Sequence, residues 1–352
     1  MIKKILYLTS TRPDYSLNAV LVKGLRENGV EVKEFYIQKP GISGWREAYS
    51  LYRLNAEMID ALLIGYNSQF LAIGLRPFCR HKMVYNAVLS EYERMIISRA
   101  AAARFSLKAI YYWLLDFLAT HSADLTIVES DQQQLFFRKL FKISGRKVFR
   151  NYIGVPEEKF YHDPALSKSD TFTILFRGQF MPEAGIECVI EAAKRLESEK
   201  IKFLIIGGGI GLEKVKELID KLNPTNLVLI TDFLPDDKLR ETMQRCHLSL
   251  GQVSGHERLN RTIPHKTYES LALKLPYLTA ANPGILELLT PNKTCLTCSP
   301  AEAQALAEKI LWAKNNYQIA ANIGENGYQL FKTKLRAKQL AWNLIDQIST
   351  LL

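Results

Sequence analysis

Apolar runs bounded by turn residues recur along the chain at two spacings. Ile2–Thr9 is a short apolar run ending in Ser-Thr, the pattern of a buried parallel strand. Leu17, Val20, Leu21 and Leu25 follow at helical spacing over 17–28, and Gly29 stands where a helix-ending glycine belongs. Val30–Ile37, Met58–Tyr66, Lys82–Val88 and Ala123–Glu129 read as further strands, the last followed by a helix through Phe141. Between them, Glu91–Thr120 reads as one long helical stretch. Strands alternating with helices of roughly 10–15 residues predict βαβ units and a parallel sheet.

The alternation stops over Pro156–Ser169, which has no periodicity, and begins again near Asp170. Strands are predicted at 172–176, 201–206, 227–230, 247–250 and 276–279, and helices at 184–196, 212–222, 236–245 and 266–274. Amphipathic helices follow at 301–315 and 335–352. The expected organisation is a first α/β domain over 1–160, a second over 170–334, and a last helix over 335–352. Two such units in tandem place a ligand site in the cleft between them, at the carboxyl ends of the strands.

A length of 352 residues fits two such domains. Five irregularly spaced cysteines do not make a disulfide framework and point to a reducing compartment. The opening apolar run, Ile5–Leu8, is too short for a signal peptide core. The most apolar stretch, Ala109–Ala119, contains Asp116 and falls short of the roughly 20 residues that span a bilayer. The expectation is a cytoplasmic protein, peripheral at most to the inner face of a membrane.

Charge changes the picture locally. The net charge is +10, and residues 76–150 hold 13 basic against 6 acidic side chains. Such a concentration suggests an anionic surface, lipid or nucleic acid. No nucleic-acid motif accompanies it, so nucleic acid is set aside. On a helical wheel Arg94, Arg104 and Lys108 lie within roughly 80° of one another, marking a membrane-facing or acceptor-facing side.

Few motifs carry chemistry alone. Gly207-Gly208-Gly209-Ile210-Gly211 ends a strand and opens a helix, as a phosphate turn would, but lacks the third glycine of a dinucleotide fingerprint. Cys295 and Cys298 have no second cysteine pair or histidine cluster to complete a zinc site. There is no Asp-x-Asp. His121 and His247 stand alone beside apolar runs and read as structural. The richest segment is Arg261–Pro276, where a turn with Pro264 opens a helix carrying Lys266 and Glu269. A helix N-terminus and a lysine suit a phosphate, and a carboxylate one turn further suits ribose hydroxyls. A capped amphipathic helix with a surface glutamate fits the same residues.

That segment resembles the Pro-x-Lys-x-x-Glu-x-x-Ala-x-Gly-x-Pro helix of the family 4 retaining glycosyltransferases, which have the GT-B fold of two Rossmann-like domains facing across a cleft. Phe176–Glu187, Phe203–Gly209, Pro283–Leu288 and Asn151–Val155 with Phe160 resemble the family's other motifs, in its order. The resemblance covers most of 120–310, and it implies that the helix over 335–352 packs back on the first domain. It implies a metal-independent hexosyltransferase without a cofactor, moving sugar from a nucleotide-diphosphate donor to a glycan or lipid-linked acceptor in cell-surface polysaccharide or glycolipid synthesis. By carry-over, Gly178, Gln179, Gly208, Pro264, His265, Lys266, Thr267 and Glu269 would line the donor nucleotide, Glu269 holding the ribose. Gln179 and Ala184 stand where the family has arginine and lysine, Arg261 where it has the first of two glutamates, and Lys274 where it has glycine. Arg261 is therefore the candidate catalytic residue, and Arg258 and Arg261 are expected to clamp a phosphate in place of the lost cations. Strand alternation argues against Arg177. A degenerate GT-B protein that binds a glycan or partner, and a GT-B sugar-nucleotide epimerase, are the rival readings.

Overall fold

The computed structural model describes residues 2–351. It divides into two units, Met1–Pro156 with Lys334–Leu352, and Glu157–Thr333. Each is built on a six-stranded, fully parallel sheet.

The first unit runs β1 Lys4–Thr9, α1 Ser16–Glu27, β2 Glu31–Tyr36, α2 Gly41–Asn55, β3 Ala61–Ile64, α3 Gln69–Leu75, β4 Lys82–Val88, α4 Leu107–Ser122, β5 Leu125–Val128, α5 Asp131–Phe141 and β6 Val148–Arg150. Its strand order is β2-β1-β3-β4-β5-β6. Central strands such as β3 (Ala-Leu-Leu-Ile) are buried on both faces, which is why they read as unbroken apolar runs rather than alternating ones. One apolar core lies on each side of this sheet.

The second unit runs β7 Phe172–Gln179, α6 Ile186–Arg195, β8 Ile201–Gly208, α7 Leu212–Leu222, β9 Leu227–Ile230, α8 Asp236–Gln244, β10 Leu248–Leu250, α9 His265–Ala272, β11 Tyr277–Ala280, α10 Pro283–Leu286, β12 Leu296–Cys298, α11 Ala303–Asn315 and α12 Tyr317–Leu330. The last helix, α13 Ala337–Ser349, returns to the first unit, where Leu344 and Ile348 join the core that holds Leu21 and Leu25 of α1. The second sheet has the order β12-β11-β10-β7-β8-β9. The chain reverses direction between β7 and β10, and the carboxyl ends of strands at such a reversal are where open α/β sheets bind ligands.

Two expectations need correction. Glu91–Thr120 is not one helix. A π-helical turn at Glu93–Ser98 is followed by an irregular segment in which Ala100 takes φ of +47°. α4 then starts afresh, its first turn capped by Ser106 Oγ accepting from Ala109 N at 3.2 Å. Arg94, Arg104 and Lys108 therefore do not share a helical wheel. Arg94 is half-buried and bound to Glu91 through two hydrogen bonds of 2.7 and 2.6 Å. The second correction is α2, unforeseen because its buried residues are Gly44, Ala48, Tyr52 and Asn55, a stripe with little apolar contrast. Among the described residues no helix is long and apolar enough to cross a membrane. No group of three or more His, Cys, Asp or Glu side chains among them could hold a metal.

Candidate functional site

The site gathers at the carboxyl ends of β7 and β8, where α9 begins. Gly178 pairs in register with Gly207 and Gln179 with Gly208, so the two strand ends lie side by side. A Cβ on Gly207 would sit 1.9 Å from the Gly178 carbonyl oxygen, so only glycine permits this approach. A Cβ on Gly208 would meet nothing within 4 Å, and Gln179 is exposed beside it. The strand ends thus present bare backbone to open space, as a phosphate-binding turn requires.

α9 enters this region with no side-chain cap. Pro264 is its N-cap, and the Thr267 N–H closes back on the Pro264 carbonyl at 2.9 Å. Its residues from Lys266 to Ala272 are all buried, which rules out the surface amphipathic alternative. The Thr267 hydroxyl turns inward and is buried against the Tyr277 hydroxyl at 2.8 Å. Lys266 and Glu269 are the charged side chains that α9 brings to the site.

Lys266 is buried, and its Nζ has no hydrogen-bond partner among the described residues. The ammonium lies 3.9 Å from the centroid of the Phe176 ring and 3.4 Å from where a Gly178 Cβ would stand. Burial pushes the amine down to about 7, against a smaller upward pull from Glu269. An amine in apolar surroundings, beside an uncapped helix N-terminus and a glycine strand end, is suited to an anionic group brought from outside.

Glu269 is equally buried but fully engaged. Its Oε2 pairs with the Arg177 guanidinium, and its Oε1 lies 3.1 Å from His265 Nδ1. Burial alone would raise this carboxyl, yet the Arg177 charge and the His265 contact outweigh it and hold it at about 2. Arg177 thus belongs to the site that strand alternation had denied it. Gly178, the next residue, takes φ of +137°, so alternation fails at this strand end. Arg177 also lies 5.6 Å over the Phe160 ring.

The two arginines of the expected phosphate clamp both lie beside carboxylates. Arg258 NH1 pairs with Glu183, a carboxylate buried beside the α6 entrance, and Arg261 NH2 lies 3.6 Å from Glu257. Both guanidinia face carboxylates within the unit, so any phosphate they hold would share them with Glu183 and Glu257. Ala184 is itself buried, its carbonyl accepting from Val253 N at 3.2 Å. Of the histidines, His247 accepts from Thr173 N at 3.1 Å and is structural, whereas His121 is exposed on α4. Cys295 and Cys298 are buried free thiols.

Residues 157–330 match the family model for Glycosyl transferases group 1. The uncharacterized glycosyltransferase MJ1178 of Methanocaldococcus jannaschii is 26% identical over 183 residues, covering 51% of this chain and 48% of that protein. WcaL of Escherichia coli, whose name assigns it to colanic acid biosynthesis as a glycosyltransferase, is 22% identical over 167 residues, 47% of this chain and 41% of its own. The matches thus span about half the length of these curated relatives. Among solved structures, Anabaena Alr3699/HepE in complex with UDP and glucose aligns with a TM-score of 0.74 at 16% identity, covering 99% of this chain and 100% of that one. Sucrose-phosphate synthase from Thermosynechococcus elongatus aligns with a TM-score of 0.77 at 14% identity, over 99% of both chains. At these identities the likeness establishes the fold, two Rossmann-like parallel-sheet domains of the GT-B kind.

Proposed function

We propose, on the premise that residues 157–330 are a domain of the glycosyl transferases group 1, that this protein transfers a hexose from a nucleotide-diphosphate donor to a glycan or lipid-linked acceptor. The transfer proceeds with retention, without a metal, in cell-surface polysaccharide or glycolipid synthesis at the inner face of a membrane. The donor nucleotide is uridine diphosphate, a reading supported by neighbours solved with UDP and with UDP-glucose.

One observation carries the reading: Lys266, a buried amine with no hydrogen-bond partner among the described residues, set at the uncapped start of α9 beside the bare end of β7. In the transfer the bond from sugar to diphosphate breaks and its electron pair stays on the diphosphate. The Lys266 ammonium and the first N–H groups of α9 stabilise that growing negative charge in a water-poor setting. Arg177 and His265 keep Glu269 ionised and fixed. Each uses one lone pair of a carboxylate that has about four, which leaves acceptors for two ribose hydroxyls.

A thermal-shift screen with UDP, GDP and ADP tests the reading. A ligand that binds only the folded state at about 100 times its Kd stabilises it by about 2.7 kcal/mol. UDP is expected to shift the unfolding of the wild type, and UDP-sugar to be slowly hydrolysed without acceptor. The second reading, a degenerate glycan-binding protein, draws on the two arginines already paired with carboxylates. No response to any nucleotide or sugar nucleotide would favour it.

A further inference from the structure

The second half of the 91–120 stretch exposes an apolar surface. Phe105 and Leu107 are 96% and 87% exposed at the start of α4, and Ile110, Tyr111, Leu114 and Leu118 are exposed along it. At 3.6 residues per turn, Leu107, Ile110, Tyr111, Leu114 and Leu118 fall within an arc of about 100°. Ala109, Asp116 and Thr120, on the opposite side, are buried against the unit's own core. α4 is therefore covered by the protein on one side and bare and apolar on the other.

Charge identifies what covers the bare side. From Arg99 to Leu115 the chain holds Arg99, Arg104 and Lys108 and no carboxylate, and all three are exposed. An apolar arc bordered by cations matches an anionic lipid surface, in which acyl chains receive the apolar side chains and headgroups receive the charges. At 16 residues α4 is too short to span a bilayer, so it would lie in the plane of the interface.

We propose that α4, with Phe105 ahead of it, seats the first unit on an anionic lipid bilayer. The assignment deepens the reading above and rests on it for the location of the acceptor. It also reassigns the membrane-facing cations, since Arg94 is held by Glu91 and Arg99 takes its place beside Arg104 and Lys108.

Flotation of the whole protein with vesicles of phosphatidylglycerol and phosphatidylcholine in equal parts, against phosphatidylcholine alone, tests it. The wild type is expected to float with the anionic vesicles at low salt, and about tenfold less with the neutral ones. The triple variant Phe105→Ser, Leu107→Ser, Leu114→Ser should lose at least tenfold in bound fraction while keeping its UDP thermal shift. Arg99→Gln with Arg104→Gln and Lys108→Gln should remove the anionic preference. If the triple variant fails to fold, Phe105→Trp serves: its emission should move to the blue on adding anionic vesicles and be quenched by brominated acyl chains. Absence of flotation at low salt, an unchanged triple variant, or an emission from the Phe105→Trp variant that ignores the vesicles overturns the assignment. So does a wild-type dimer that ignores vesicles and is made monomeric by the triple variant. Flotation retained without any UDP response supports α4 as the seat and overturns the donor reading instead.

Discussion

Replacing Lys266 with methionine should stabilise the empty protein and weaken its hold on nucleotide, a pairing of effects that a structural lysine would not give. In the folded state burial lowers the amine from 10.5 to about 7. At about 1.4 kcal/mol per pH unit, that depression sets an upper bound of about 5 kcal/mol on the cost of burying Lys266. The contact with the Phe176 ring offsets up to about 2 kcal/mol of it, and a methionine sulfur keeps a weaker ring contact. The net gain for Lys266→Met at pH 7 should be about 1–3 kcal/mol, raising the unfolding midpoint by about 2–4 °C per kcal/mol for a unit of this size. The sign depends on pH. Between about 7 and 10.5 the unfolded chain binds the proton that the folded chain has released, so wild-type stability rises with pH across that window. The variant lacks this rise, and its advantage should disappear near pH 10.5. Losing a charge-assisted bond to the diphosphate should cost about 1.5–3 kcal/mol, a UDP affinity roughly 10–150 times weaker. Calorimetric titration with UDP and thermal unfolding across pH 7–10 measure both quantities. A variant that binds UDP like the wild type, or that is destabilised at pH 7, would refute the reasoning.

Other substitutions test the same arrangement. Glu269 is held at about 2 against an ordinary value of 4.5, so it contributes stability above pH 4.5 that is lost as the pH falls toward 2. At about 1.4 kcal/mol per pH unit this is about 3 kcal/mol, and Glu269→Gln should flatten that part of an acid-unfolding curve. Gly207→Ala would drive a Cβ into the Gly178 carbonyl and should lower urea stability by about 2 kcal/mol or more. Gly208→Ala, with open space around it, should leave stability within about 0.5 kcal/mol yet reduce UDP affinity, because its methyl group occupies the approach to the backbone. Lys274 holds φ of +59° just past α9 and pairs with Glu325 at 2.5 Å. Lys274→Gly should fall within about 1 kcal/mol of the wild type in urea unfolding, whereas Lys274→Val should lose about 1–2 kcal/mol.

The parts of this fold that were readable from sequence are those whose signal is local. β3 and β8 are buried runs, and Gly29, at φ of +80°, ends α1 where the spacing indicated. The start of α9 was readable for the same reason, since Pro264 and the periodic residues after it lie within one turn of each other. What escaped was either low in contrast or distant in sequence. α2 buries glycine and asparagine as readily as alanine and tyrosine, so its stripe is faint. The stretch over 91–120 kept its apolar character across a π-helical turn and an irregular segment, and composition alone cannot mark where hydrogen bonds stop running i to i+4. Arg177 and Glu269 are 92 residues apart, and Arg258 and Glu183 are 75 apart, so no spacing rule connects either pair.

Those two distant pairs explain why Lys266 stands out. A buried arginine–carboxylate pair satisfies both charges and fixes a loop to a strand end, but gives little net attraction to a third ion. Arg177 with Glu269 ties β7 to α9, and Arg258 with Glu183 ties the turn before α9 to the entrance of α6. Their rigidity holds the start of α9 against the glycine ends of β7 and β8. Within that frame the Lys266 amine is desolvated and left without a hydrogen-bond acceptor among the described residues. Folding alone returns only the contact with the Phe176 ring for that placement. A diphosphate returns more, because it supplies the acceptor oxygens and the countercharge together, and raises the amine back toward its charged form. The energy withheld from the empty fold then appears as binding, strongest when the leaving diphosphate carries its full charge.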